Sequence, residues 1–130
     1  MKKKFFVLIF IGIVVLAGVA FGILKGKNNP PPNGDNNSKI ILFYGAGCPH
    51  CAVVEEYIKQ NKIDEKITFA RKEVWQNKDN ANELVEKAKV CGLPTDSIGV
   101  PFLWDGTNGD KCYVGDKDVI DYFKQKTNGQ

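Results

Sequence analysis

Apolar residues follow three different rhythms along this chain. Residues 5–24 (FFVLIFIGIVVLAGVAFGIL) run without a single charge, whereas residues 26–38 (GKNNPPPNGDNNS) hold almost nothing apolar. From position 39 onward, short apolar runs alternate with helical stripes. Residues 39–44 (KIILFY) form a nearly continuous apolar run, the pattern of a strand buried on both faces. Pro49 suits a first helical turn, and Val54, Tyr57, Ile58 and Asn61 follow at helical spacing, with Glu55 and Lys59 as an i,i+4 pair. Residues 67–74 (ITFARKEV) alternate like a strand. Residues 80–90 predict a helix with Ala81, Leu84, Val85, Ala88 and Cys91 on one inward stripe. Residues 101–104 (PFLW) and 111–114 (KCYV) read as strands joined through the turn-rich 105–109 (DGTNG). Residues 118–126 close the chain as a helix, with Val119, Ile120 and Phe123 inward and Asp116 as its cap. The order βαβαββα, a parallel crossover followed by a hairpin, predicts a mixed four-stranded sheet flanked by helices, an α/β sandwich.

The uncharged run changes what the rest can be. As a helix at about 1.5 Å per residue it spans roughly 30 Å, the thickness of a bilayer core. Two readings compete: an uncleaved transmembrane anchor, and a signal peptide cut after Gly18-Val19-Ala20. The run exceeds the roughly 7–15 apolar residues usual in a signal peptide, which favours the anchor. Lys2, Lys3 and Lys4 precede it and Lys25 and Lys27 follow, so residues 1–4 are expected in the cytoplasm. The chain is then a single-pass protein of the cell membrane. Residues 25–38 are a Pro/Asn-rich linker, and residues 39–130 form an extracytoplasmic domain. That domain carries 13 Lys and Arg against 14 Asp and Glu, so the net charge of +3 belongs to the membrane end. Nothing in it reads as a nucleic-acid surface.

The candidate chemistry lies in GAGCPHC, positions 45–51, where Pro49 and His50 separate Cys48 from Cys51 at the junction of the first strand and first helix. A C-x-x-C is half of many zinc sites, but Cys91 and Cys112 stand alone and far apart, so the second half is missing. Redox chemistry is the stronger reading. His50 alone could be a solvated surface histidine, and Pro101 an ordinary trans proline at a strand start. Cys91 and Cys112 have two readings: buried inert thiols, or a structural disulfide of the kind small exported domains use.

A C-x-x-C at that junction in a βαβαββα chain resembles the thioredoxin fold, over roughly residues 39–126. In that superfamily a cis-proline lies beside the dithiol, and Pro101, after Ile98-Gly99-Val100, matches it. The dipeptide Pro49-His50, with Val100 before the proline, resembles the Dsb-type disulfide-forming proteins. Gly115-Asp116-Lys117-Asp118 is similar to the glutaredoxin ending, and the acidic residue that thioredoxins bury before the dithiol is Leu42 here. The resemblance implies a thiol–disulfide oxidoreductase without a bound organic cofactor. Cys48, at a helix N-terminus that favours a thiolate, would attack protein disulfides or thiols. His50 would tune the same sulfur, Cys51 would resolve the mixed disulfide, and Val100 and Pro101 would hold the substrate strand. A membrane or soluble redox partner would reset the dithiol. The rivals are a glutaredoxin-like enzyme using glutathione, and a copper or zinc metallochaperone using Cys48, His50 and Cys51.

Overall fold

A computed structural model describes residues 37–129. The expected span at 5–24, the residues before it and most of the linker lie outside the described residues. Among the described residues no helix is long and apolar enough to cross a membrane.

The element order is β1 (Ile40–Tyr44), α1 (Pro49–Gln60), α2 (Ile63–Lys66), β2 (Ala70–Glu73), α3 (Lys78–Val90), β3 (Phe102–Asp105), β4 (Lys111–Val114) and α4 (Asp116–Asn128). The four strands form one mixed sheet in the order β2-β1-β3-β4. The β1–β2 pair is parallel, with Leu42 opposite Arg71, while β1–β3 and β3–β4 are antiparallel. The architecture is therefore α/β, a four-stranded mixed sheet flanked by helices. The continuous apolar run of β1 follows from its central place, since Ile40 and Leu42 face one core and Ile41 and Phe43 the other. On the first face Val54, Ile58, Val119 and Phe123 from α1 and α4 close over Leu42 and Leu103. On the second, Leu84 and Ala88 of α3 close over Phe43 and Phe102.

Several expectations are corrected. The short helix α2 has no counterpart in the hydrophobic pattern. Lys62 adopts a left-handed conformation that ends α1, and Ile63 then turns fully into the core. Glu55 does not pair with Lys59. It reaches Arg71 on β2, whose guanidinium is also held by Asp64, at 2.9 Å and 2.8 Å respectively. Arg71 is only 2% exposed, so its charge needs these carboxylates. Asp116 is not the cap of α4. Gly115, with φ 91°, holds the N-cap position without a side-chain hydrogen bond, and Asp116 is the first helical residue. Val85 is not inward but 41% exposed.

At the far end of the sheet Asp105 is buried, and its carboxylate accepts from Tyr122 Oη, Lys126 Nζ, and the Thr107 amide and hydroxyl. This fastens the β3–β4 turn to α4. Cys91, the C-cap of α3, forms a disulfide with Cys112 on β4, with Cα atoms 6.1 Å apart. The bridge ties the helix of the second face to an edge strand.

Candidate functional site

Strand β1 ends at Tyr44, and the loop Gly45-Ala46-Gly47 delivers the chain to α1. Gly47 has φ 83°, a conformation that favours glycine. Cys48 is the N-cap of α1, and its Sγ accepts the N–H of Cys51 at 3.3 Å. A sulfur atom thus takes the capping place usually given to a hydroxyl or carboxylate oxygen. Pro49 follows in the first turn, where its missing N–H costs no hydrogen bond. The Val100–Pro101 peptide is cis, and Cys48 Sγ donates to the Val100 carbonyl at 3.7 Å. Cys48, Pro49, Cys51, Val100 and Pro101 therefore converge on one place.

Both residues of the dithiol are buried, Cys48 with 7% exposure and Cys51 with 4%. Their surroundings still differ. Burial, reinforced by the hydrogen bond with Cys48, pushes the Cys51 thiol up to about 12. Cys48 instead faces a groove of about 620 Å³, lined among others by His50, Trp75, Val85, Ile98 and Val100.

His50 does not reach the sulfur. Its side chain is 70% exposed, and Nδ1 lies 3.0 Å from Asp116 Oδ2 at the start of α4. The His50 hydrogen bond, followed by the Lys117 N–H, holds the Asp116 carboxyl below the usual aspartate range.

Two residues join the site without having been singled out in the sequence, Trp75 and Glu73. Trp75, 59% exposed, lays its indole over Gly45, where a Cβ would sit 2.3 Å from the ring. Glu73 accepts hydrogen bonds from the N–H groups of Ala46, Trp75, Gln76 and Asn77. Burial alone would raise the Glu73 pKa, but these four donors outweigh it and hold the carboxyl below its ordinary value. One carboxylate thus fixes the loop before Cys48 and the loop carrying Trp75. Asp116, expected as a helix cap, joins the site as the partner of His50. A large aromatic in an otherwise polar stretch (WQNKDN, 75–80) is the signal that marks Trp75.

Cys91 and Cys112 do not line the groove. Among the described residues no three His, Cys, Asp or Glu side chains are grouped to hold a metal ion. Comparison with known proteins finds no matching family model, no similar curated protein and no similar solved structure.

Proposed function

We propose that this chain is a thiol–disulfide oxidoreductase of thioredoxin-like fold that exchanges disulfides with protein substrates. Residues 5–24 tether it to a membrane, with the dithiol domain on the extracytoplasmic side. The observation that carries the reading is the place of Cys48: a helix N-cap whose sulfur receives the Cys51 N–H and opens on a groove. The Cys51 N–H and the N-terminal end of the helix both face that sulfur.

The Cys48 thiolate attacks one sulfur of a substrate disulfide. A Cys48–substrate bond forms, and the other substrate sulfur leaves as a thiolate. Cys51 then loses its proton to solvent or to the departing thiolate and attacks Cys48. A Cys48–Cys51 disulfide forms, the substrate leaves with its second thiol, and two electrons have passed to it. The same steps run backwards when substrate dithiols are oxidised. The neutral Cys51 thiol waits without competing for the substrate, as burial dictates. A redox partner returns the pair to its starting state, and sulfur chemistry suffices for every step.

The groove beside Cys48 is mostly apolar, from Val74, Leu84, Val85, Ile98 and the Trp75 ring, and suits an extended polypeptide segment. The glutaredoxin-like alternative would use Asp116 toward a ligand, but His50 already engages that carboxylate. The test is turnover of a disulfide-bonded protein by the purified chain with a dithiol reductant. Catalysis lost in both Cys48→Ser and Cys51→Ser supports the reading, and undiminished catalysis in either contradicts it.

A further inference from the structure

The imidazole between the two cysteines has its partner on another element. His50 Nδ1 meets Asp116 Oδ2 at 3.0 Å, while Asp116 Oδ1 accepts the Lys117 N–H at 2.9 Å. Lys117 turns its ammonium to Asp121, so the side chain that meets the Asp116 carboxylate is His50. The position of Asp116 is itself fixed to the dithiol. The Gly115 N–H donates to the Pro101 carbonyl at 2.9 Å, and the neighbouring Val100 carbonyl accepts from Cys48 Sγ. A closed ring of contacts results, running from Cys48 through residues 100–101 to the start of α4, and back through Asp116 and His50 to α1.

This ring bears on the balance between dithiol and disulfide. Only the reduced pair can carry charge on sulfur, and the disulfide carries none. A positive or donating imidazole near Cys48 therefore stabilises the reduced form and makes the disulfide the better oxidant. Here the imidazole is turned to a carboxylate, which directs its Nδ1–H away from Cys48 and sets a negative charge beside the ring.

We propose that Asp116 is a positioning residue: it holds His50 away from Cys48 and so keeps the Cys48–Cys51 disulfide less oxidising than the same motif with an untethered histidine. The proposal rests on the oxidoreductase reading above. In a glutathione buffer, two glutathione thiols give two electrons and two protons to the Cys48–Cys51 disulfide. The products are two cysteine thiols and one glutathione disulfide.

The test equilibrates the full chain with reduced and oxidised glutathione and reads the dithiol fraction by alkylation and mass. In Asp116→Asn the carboxylate charge that holds the imidazole is gone, the ring is released more readily toward Cys48, and the equilibrium constant for reduction rises about three- to fivefold, the scale of an exposed charge pair. Asp116→Ser gives the same rise. Against a His50→Ala background, Asp116→Asn adds nothing. An unchanged or lower constant in Asp116→Asn overturns the proposal, and so does an equal rise in the absence of His50. A wild-type chain that forms no reversible Cys48–Cys51 disulfide overturns the oxidoreductase reading instead, before any variant is compared.

Discussion

The backbone N–H of Cys51 donates to Sγ of Cys48 at 3.3 Å, so the first cysteine is held by the helix that the second helps to form. The two thiols are thereby made unequal within one helical turn. Cys48 stands at the helix start and accepts the Cys51 N–H, while burial keeps the Cys51 proton in place.

That inequality gives a pH prediction. The folded Cys51 thiol titrates near 12 instead of its ordinary 9.0, so folding favours its protonated form. Its contribution to the stability of the reduced protein is whole below pH 9 and is lost as pH rises toward 12. In Cys48→Ser, where burial remains, Cys51 should resist alkylation through pH 9 and react only in stronger alkali. Alkylation of Cys51 in that variant at the rate of an unfolded control at pH 8 would contradict the burial argument.

Glu73 should behave as a loop clamp. Its four N–H donors make Glu73→Gln cost about 1 kcal/mol of stability, the low end for bonds to a charged acceptor at an exposed site. Because the folded carboxyl lies below its ordinary 4.5, its contribution is present above that pH and fades as pH falls below it. Thermal melts at pH 7 and pH 3 should therefore separate wild type from Glu73→Gln clearly at the first pH and less at the second.

Trp75 should matter to protein substrates more than to small ones. Its ring is 59% exposed, so Trp75→Ala should change stability by less than about 1 kcal/mol. The apolar wall of the groove would be lost, raising KM for a protein disulfide several-fold and leaving reaction with a small disulfide nearly unchanged. Gly45→Ala should act similarly, since its Cβ would occupy the space of the indole and push Trp75 outward. An equal loss on both substrate classes would place the effect in the dithiol instead.

The Cys91–Cys112 bridge should be separable from exchange. It spans 21 positions between α3 and β4, and a loop of this size stabilises by about 3 kcal/mol. Replacing both cysteines with alanine should lower the melting temperature while the folded fraction keeps its exchange rate. Loss of exchange without loss of stability would make this bridge a second redox pair.

The sheet was legible because its central strand must be apolar on both faces, and residues 40–43 show that directly. The place of Cys48 and Cys51 at the start of α1 and the cis peptide before Pro101 were legible because each is tied to residue type and position. What escaped the sequence depends on contacts between distant positions. Glu55 could be matched to Lys59 four residues away, but its bond to Arg71 requires the register of β1 with β2. His50 could be assigned to the nearest sulfur, whereas its partner is 66 positions on, brought close by the packing of α4 beside α1. Val85 reads as an inward residue and Trp75 stands out by its size alone; the groove between α1 and α3 gives both a face.

The central claim, that Cys48 attacks and Cys51 resolves, is tested most directly by trapping. Cys51→Ser should accumulate mixed disulfides between Cys48 and protein substrates, visible as reductant-sensitive high-mass bands on non-reducing gels. Cys48→Ser should accumulate none, because its remaining thiol is buried and protonated. Trapping by Cys48→Ser alone, or equally by both variants, would contradict the account.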